Sequence, residues 1–257
     1  WSQLRELGAF VSAHNPYGHP LSVHPGGWDP DAPTFGEQSS AHFFHGDGWL
    51  DHNWLQTYIH VEKVAFRVRE AYDYVPAKPV IESEPCYEGY AAGCFEETAR
   101  FQAWTALLNG AGGHVYGAEG LYYCDDVAAL DRPGAGQMRH VADFFGQIEW
   151  WRLLPDVDCV SKNGGPPDLL STSDPSCAAV IAELYVVYVP AGSASDTIEL
   201  RNLANRTYLA QWFDPRSGAY ADINGGTPVN GDLDDRWILP PRPDGEDWVC
   251  LLRASGP

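Results

Sequence analysis

The sequence predicts an α/β region followed by an all-β region, with the boundary near residue 155. Residues 1–154 alternate short apolar runs with segments of helical periodicity, which is typical of βα units that build a parallel sheet. Residues 161–176 are rich in Gly, Pro, Ser and Asp, and this composition indicates a linker or a long loop. The strand-like runs after it are separated by turn residues, so an antiparallel β-sandwich is expected over residues 155–257.

Four short runs in the first region have the composition of strands. Residues 19–25 are a compact candidate, and residues 49–58 mix aromatic rings with polar side chains. Residues 79–84 begin with Pro-Val-Ile, which is typical of a buried parallel strand. Residues 113–117 form a fourth candidate with glycine at both ends. Four strands with their helices make half of an eight-stranded barrel, so either the other half lies elsewhere or the sheet is a smaller open one.

Helical periodicity lies between these strands. Apolar residues from Val61 to Tyr72 recur at helical spacing and stop before Pro76. Residues 97–109 are predicted to form a second helix, and residues 134–153 a long amphipathic one. In the second region the strand candidates are residues 178–189, 196–201, 207–213 and 247–253.

The composition disfavours several classes of partner. The chain has 257 residues, with 16 basic and 35 acidic side chains and a net charge of −19. A surface of this charge repels phosphate backbones and anionic lipids, so nucleic acid and membrane surfaces are disfavoured. No apolar run approaches the roughly 18 residues that a membrane-spanning helix needs. Neutral ligands such as carbohydrates carry no such penalty.

The acidic balance, the few lysines and one sequon favour a secreted protein, in which disulfides can form. The cysteines lack the paired C-x-x-C spacing of zinc ribbons, and Cys159 and Cys177 are the most plausible local disulfide pair, although the sequence leaves the pairing open. Asn205 begins an Asn-Arg-Thr sequon for N-glycosylation. The chain opens on Trp1 without a signal peptide, so a processed or truncated form is expected.

Three carboxylates lie close together at the end of the 79–84 run. Glu84 is expected where the strand gives way to its loop, beside the rings of Tyr87 and Tyr90. In a barrel of parallel strands this carboxyl edge carries the catalytic groups, and a glutamate walled by aromatic rings suits chemistry on a sugar. The competing interpretation is that Glu82, Glu84 and Glu88 decorate a solvated loop.

Seven stretches of the chain carry a family resemblance, in chain order. They are HPLSVHP (19–25), WLDHNWLQTY (49–58), KPVIESEPCYEG (78–89), GAGGHVYG (110–117), ALDRPGAGQM (129–138), QWFDPRSGAY (211–220) and ILPPRPDGEDWVCLL (238–252). They resemble the apiosidase-like glycoside hydrolases, a (β/α)8-barrel family, and the β-sandwich module that often follows this barrel. The third and fourth stretches are the most specific.

The resemblance implies a division of the chain into two domains. Residues 1–154 would be the C-terminal half of a TIM barrel, holding strands five to eight, and residues 155–257 would be the C-terminal β-sandwich domain. The family's general acid, an Asp near the end of strand four, would then lie outside this chain. A complementary N-terminal barrel half, from the same precursor or from another chain, is therefore an expected partner. Carbohydrate is the expected substrate, and no cofactor is expected.

The resemblance and the strand positions together nominate Glu84 as the nucleophile of a retaining mechanism. Polar side chains near the strand ends are costly to bury unless they are paired, which makes them candidates for substrate contact. They are His24, Asn53, Gln56, Tyr87, Glu88, His114 and Tyr116. The alternative for each is a structural role, such as Glu88 holding its own loop. Arg100 is expected to pair with Glu84 or Glu88, or to lie at the surface.

Metal catalysis is disfavoured by the spacing of the remaining histidines. His42, His45 and His60 do not form an HExxH motif or an equivalent, and the chain has no GxSxG elbow and no phosphate-cradling glycine loop. Two hypotheses follow. The first is a glycoside hydrolase acting on plant or microbial polysaccharide, and the second is a non-catalytic carbohydrate-binding or structural protein on a degenerate barrel.

Overall fold

The structure is a computed structural model that describes residues 1–25, 39–90, 92–121, 124, 126–193, 197–204, 206–231 and 235–255. Within these ranges the chain forms a mixed α/β structure with one parallel and two antiparallel sheets. The parallel sheet has three strands in this part of the chain and does not close into a barrel. None of the helices in the described ranges combines the length and apolar character needed to cross a membrane.

The three-stranded parallel sheet positions the candidate site. Its strands, hydrogen-bonded in this order, are β1 (Asn53–Leu55), β2 (Val80–Glu82) and β3 (Gly113–His114). Leu55 lies opposite Glu82, and Glu82 lies opposite His114. Because neighbours in register point to the same side of a sheet, these three side chains share one face.

Helices precede, connect and follow these strands. Those in the described ranges are α1 (Ser2–Ala13), α2 (Ser40–Phe44), α3 (Val64–Tyr72), α4 (Glu96–Leu108) and α5 (Pro133–Phe145), with short 3-10 turns at Val61–Lys63, Val127–Asp131, Trp150–Arg152, Val157–Cys159, Ala191–Ser193 and Ile223–Gly226. α3 packs on the sheet through Val64 and Val68, which meet Leu55 and Val80 in one apolar cluster. α1 has no buried residue.

The second region is built from antiparallel strands. They are β4 (Leu154–Pro155), β5 (Val160–Lys162), β6 (Ser176–Val180), β7 (Leu184–Val189), β8 (Ile198–Leu200), β9 (Thr207–Phe213), β10 (Tyr220–Asp222), β11 (Val229–Asn230), β12 (Trp237–Ile238) and β13 (Trp248–Ala254). One sheet has the order β10-β9-β13-β7-β6-β4, with β11 paired to β9, and the other has the order β12-β8-β5.

Both faces of the larger antiparallel sheet are buried. On one face Tyr185 of β7 joins a core that includes Leu200 of the smaller antiparallel sheet. On the other face Tyr188 of β7 packs with Trp104 of α4 and Phe144 of α5. Every residue of β7 is buried, which explains why its sequence is apolar without alternation. The α/β region and the β region therefore share a hydrophobic core.

A buried ion pair joins the same two regions. Arg100 of α4 donates to both carboxylate oxygens of Asp247 (3.0 and 2.8 Å), and each side chain is 5 % exposed. The Tyr188 hydroxyl also donates to Asp247 (3.1 Å), and Arg100 donates to Gln137 (2.8 Å). The prediction that Arg100 pairs with Glu84 or Glu88, or lies at the surface, is wrong because the β region supplies a buried partner.

Several element boundaries differ from the sequence prediction. Residues 19–25 form no strand. Instead, the Leu21 amide donates to the Asp51 carboxylate (2.7 Å), and the Asp51 amide donates to the Leu21 carbonyl (2.8 Å). The helix expected over residues 134–153 ends at Phe145. The single run at residues 178–189 is a hairpin, because the chain reverses between β6 and β7.

The cysteines form two disulfides. The bond between Cys159 and Cys177 confirms the predicted pair. The bond between Cys86 and Cys94, which the sequence did not indicate, joins the loop after β2 to the approach to α4. The sequon residue Asn205 lies outside the described residues.

Candidate active site

Glu84 lies at the carboxyl end of the parallel sheet, two residues beyond β2. The Tyr58 amide donates a hydrogen bond to the Glu84 carbonyl (3.0 Å), and Tyr58 forms a parallel bridge with Pro85. These contacts extend the pairing of β1 and β2 beyond their last strand residues. The Glu84 side chain is 23 % exposed. A carboxylate held at this edge and open to solvent can meet a ligand.

His24 approaches Glu84 from the segment before α2. Its Nε2 atom lies 3.4 Å from Oε2 of Glu84, and its ring packs edge-on against Trp54 with 5.8 Å between centroids. The Ser22 hydroxyl donates to the His52 carbonyl (2.7 Å), which holds this segment beside the approach to β1. The structure therefore brings together two residues that the sequence nominated separately.

Tyr58 is a site residue that sequence reasoning missed. Its backbone is left-handed (φ 49°), and its ring centroid lies 5.6 Å from that of Tyr90. Burial, a hydrogen bond with Tyr90 and the nearby charge of Glu84 raise the pKa of the Tyr58 hydroxyl to about 12. Positive φ is uncommon for a bulky residue and clusters at functional sites. The only signal in the sequence is the position of Tyr58, two residues after Gln56 at the end of a strand-like run.

Glu82, the last residue of β2, is fully buried. Its Oε1 atom accepts hydrogen bonds from the Thr57 amide (3.2 Å) and the Thr57 hydroxyl (2.6 Å). Its Oε2 atom lies 3.5 Å from Nδ1 of His114 and has no hydrogen-bond partner in the described ranges. Burial, reinforced by the charge of Glu84 and opposed by the Thr57 hydrogen bonds, raises the pKa of Glu82 to about 8.

His114 of β3 is the neighbour of Glu82 on the same face. Burial lowers the pKa of its imidazole to about 4, so the ring is neutral at physiological pH. Neither ring nitrogen has a hydrogen-bond partner among the described residues. His114 borders a cavity of about 520 Å³ whose walls include Tyr116, Phe145 and Trp150. Glu84 does not line this cavity.

Gln102 of α4 ties together the segments that follow β1 and β2. Its amide nitrogen donates to the Thr57 hydroxyl (3.2 Å) and to the Tyr58 carbonyl (3.1 Å). Its amide oxygen accepts from the Cys86 backbone (3.0 Å). The side chain is fully buried, so α4 fixes both loops from behind the sheet.

Glu88 and Tyr116 form a second, separate pair. The Tyr116 hydroxyl donates to Oε2 of Glu88 (2.5 Å), and the Gly134 amide donates to the same oxygen (3.0 Å). Gly134 lies in the first turn of α5, so the carboxylate also meets the positive end of the helix dipole. A Cβ atom at Gly117 would overlap the ring of Tyr87, which shows how closely the two loops approach.

Asn53 and Gln56 lie towards opposite ends of β1. Asn53, the first residue of β1, is buried, with its amide nitrogen 3.0 Å from Nδ1 of His45 and its amide oxygen accepting from Ser40 (3.5 Å). Gln56 follows β1 at the carboxyl edge, and its side-chain oxygen has no hydrogen-bond partner in the described part of the chain. Of these two residues, Gln56 is therefore the one on the side of Glu84.

The histidines that suggested metal ligands serve other contacts. His45 lies 2.7 Å from the Pro76 carbonyl through Nε2, opposite its contact with Asn53. Among the described residues no group of three or more His, Cys, Asp or Glu side chains has an arrangement that could hold a metal ion.

Two family models match the chain. Residues 2–152 match the apiosidase-like catalytic domain, and residues 169–253 match a proposed collagen-binding domain of a collagenase. A comparison with curated proteins found no significant match.

Similar solved structures include glycoside hydrolases. One, described as a glycoside hydrolase, has 18 % identity and a TM-score of 0.71, with 85 % of this chain and 56 % of that chain covered. Another, a glycoside hydrolase family 5 protein from Bacteroides vulgatus ATCC 8482, has 17 % identity and a TM-score of 0.74, with 96 % of this chain and 58 % of that chain covered. At such identities the likeness shows the fold alone. The chain spans little more than half the length of these structures.

Proposed function

The chain belongs to the apiosidase-like family, and we propose that it supplies the nucleophile, Glu84, of a retaining glycoside hydrolase. Membership of this family supports a carbohydrate-active protein. The observation that carries the proposal is the setting of Glu84, a partly exposed carboxylate at the carboxyl edge of the central strand, in contact with His24 and paired through its backbone to Tyr58. Plant or microbial polysaccharides and glycosides are the proposed substrates.

In a retaining mechanism the nucleophilic carboxylate attacks the anomeric carbon, and the leaving group departs with a proton from a general acid. Water, deprotonated by the same acid/base group, then releases the sugar from the glycosyl intermediate. His24 is suited to orienting the Glu84 carboxylate, since Nε2 faces Oε2. We assign sugar contact to Gln56, whose side-chain oxygen is unpaired in the described ranges, and to the ring of Tyr87.

The other nominated residues are better suited to holding the site in shape. Glu88 is 4 % exposed, and one of its oxygens accepts from both Tyr116 and α5. Asn53 joins β1 to α2 through Ser40. We therefore propose that Glu88, Tyr116 and Asn53 position the strand ends and that the sugar does not contact them.

The acid/base group is proposed to come from a complementary N-terminal barrel half. Retaining enzymes need a second carboxyl about 5–5.5 Å from the nucleophile. In the described part of the chain, Glu82 is buried and Glu88 is bonded elsewhere. An exposed apolar face on α1, which includes Leu7 and Phe10, supports a further packing partner, as does the open edge of the three-stranded sheet in the described ranges.

We propose that the protein acts outside the cell, because its chain contains two disulfides. The disulfides Cys86–Cys94 and Cys159–Cys177 are of a kind that persists in oxidising compartments. The strongly acidic composition is compatible with a secreted enzyme that acts on a neutral polymer.

Covalent trapping tests the proposal directly. The protein, together with its complementary N-terminal barrel half, is incubated with a panel of 2-deoxy-2-fluoro glycosyl fluorides, and intact mass with peptide mapping is expected to find one sugar on Glu84. Glu84→Gln should abolish labelling and lower kcat by about a thousandfold or more while the fold is retained. Glu119→Gln, which alters an exposed carboxylate, is the matched control and should label normally. Near-normal turnover by Glu84→Gln, or a label on another residue, would refute the assignment.

Non-catalytic carbohydrate binding is the second candidate. It is favoured by one observation, that the two carboxylates closest to Glu84 along the chain, Glu82 and Glu88, are respectively buried and bonded to Tyr116. Binding of an oligosaccharide by calorimetry, with no label and no turnover by the unaltered protein even when the complementary barrel half is present, would support this function over the first.

A further inference from the structure

A buried polar cluster behind the parallel sheet has no part in the chemistry proposed above. It consists of Thr57, Glu82, Gln102 and His114. Buried polar atoms in native proteins are nearly always hydrogen-bonded. Here Oε2 of Glu82 and both nitrogens of His114 have no hydrogen-bond partner in the described part of the chain. The side chains of Glu82 and His114 are 0 % and 5 % exposed, so solvent does not compensate.

A single proton on Glu82 would give two of these three atoms a hydrogen-bond partner. Oε1 of Glu82 is already occupied by the two Thr57 donors. A hydrogen on Oε2 would turn that atom into a donor facing Nδ1 of His114, 3.5 Å away, and a small side-chain rotation would close the remaining gap. The neutral imidazole would then carry its own hydrogen on Nε2.

An ionised Glu82 would lack a compensating charge. The groups that face it are neutral. They are Thr57 just beyond β1, Gln102 of α4, which bonds Thr57, and His114 of β3. The charge that acts on Glu82 is that of Glu84, which has the same sign. An isolated buried carboxylate is strongly unfavourable in such surroundings, and protonation removes the penalty.

We infer that Glu82 is protonated in the folded protein at neutral pH and is a positioning residue, which ties the end of β1 to the end of β2 and keeps a second negative charge away from Glu84. Its catalytic consequence rests on the function proposed above, but its protonation does not. Thr57 is the link, because it bonds Glu82 and accepts from Gln102, which also holds the Tyr58 carbonyl and the Cys86 amide.

The pH dependence of stability follows from the raised pKa. Burial raises the pKa of Glu82 in the folded protein to about 8 from its ordinary value of 4.5. The folded state keeps the proton that the unfolded chain loses first, so the stabilisation is complete below about pH 4.5 and is lost as the pH rises through about 8. Glu82→Gln mimics the neutral acid and removes this titration.

Urea unfolding of the full chain between pH 5 and 8 tests the protonation. Relative to Glu82→Gln, the unfolding equilibrium constant of the unaltered protein is expected to rise by about tenfold per pH unit in this window. Glu6→Gln, an exposed carboxylate, should follow the unaltered protein. Parallel pH profiles for the unaltered protein and Glu82→Gln would overturn the inference.

Infrared spectroscopy gives a second readout if Glu82→Gln does not fold. The carbonyl stretch of a protonated carboxyl group should be present in the unaltered protein at pH 7 and should disappear on titration through about pH 8. The same band should persist in Glu84→Gln. A spectrum at pH 7 without this band would overturn the inference.

Turnover separates the positioning role from a purely structural one. In the active glycosidase, ionisation of Glu82 should add to the fall in rate near pH 8. The general acid contributes an alkaline limb to both proteins, so the fall near pH 8 should be smaller in Glu82→Gln than in the unaltered protein, while kcat at pH 6 is retained within about threefold. An unchanged alkaline limb in Glu82→Gln would overturn the positioning role. Full activity of Glu84→Gln would overturn only the proposed nucleophile and leave the protonation of Glu82 standing.

Discussion

Replacing Asp247 by Asn should destabilise the whole chain, because it leaves a buried cation without its counter-ion. Arg100 has two hydrogen bonds to Asp247, at 3.0 and 2.8 Å, and both side chains are 5 % exposed. Removing one partner of a buried pair costs about 3–5 kcal/mol. Asn keeps one acceptor oxygen and Gln137 still accepts from Arg100, so the lower end, about 3 kcal/mol, is expected.

Equilibrium urea unfolding followed by circular dichroism measures this loss. In thermal unfolding of a chain of this size, a loss of about 3 kcal/mol in unfolding free energy corresponds to a fall in Tm of roughly 6–12 °C. The matched control is Asp143→Asn, since Asp143 pairs with Arg139 at the surface, with the two side chains 60 % and 81 % exposed. An exposed pair of this kind should contribute less than about 1 kcal/mol. Because Arg100 and Asp247 belong to different regions, one cooperative transition is expected for both regions.

The prediction is refuted if Asp247→Asn lowers the free energy of unfolding by no more than Asp143→Asn does. A double variant sharpens the outcome. Arg100→Met combined with Asp247→Leu removes both charges and should recover much of the lost stability, because a buried ion pair can be replaced by apolar side chains at little cost. A double variant that is less stable than Asp247→Asn would show that the hydrogen bonds to Tyr188 and Gln137 dominate, contrary to this reasoning.

Two further predictions concern other contacts. Tyr116→Phe removes the hydroxyl that bonds Glu88 and should lower the free energy of urea unfolding by about 1–3 kcal/mol. The control Tyr17→Phe, on a residue that is 82 % exposed, should lower it by almost nothing. Equal losses for the two variants would contradict the assigned contact. Replacing Cys159 and Cys177 by Ser opens a closure of 18 residues and should cost about 3 kcal/mol, and an unchanged unfolding midpoint would show that the disulfide does not stabilise the fold.

Local sequence signals located the elements near the site with small errors. The helical periodicity beginning at Val61 corresponds to a 3-10 turn followed by α3, and the predicted helix 97–109 corresponds to α4. The Pro-Val-Ile run corresponds to β2, with Glu84 just beyond the strand. These predictions succeed because helix and strand periodicity depend on neighbours within a few residues.

Contacts between distant segments could not be predicted in the same way. Arg100 and Asp247 are 147 positions apart, and nothing near either residue indicates the other. Residues 19–25 have strand composition but form no strand, since their bonds run to Asp51 and His52 without a ladder. The left-handed backbone of Tyr58 occurs where this residue pairs with Pro85 in the loop after β2, a contact between distant segments.

The three neighbouring glutamates show what the sequence alone determines and what only the tertiary structure decides. The sequence by itself determined the parallel strand, the cluster of carboxylates at its end and the family that this pattern resembles. Tertiary structure decided what each carboxylate does: Glu82 is buried against Thr57, Glu84 meets solvent and His24, and Glu88 is held by Tyr116. The physical reason is that the charge state and reach of a carboxylate depend on desolvation and on hydrogen-bond donors, and these come from segments far away in the chain.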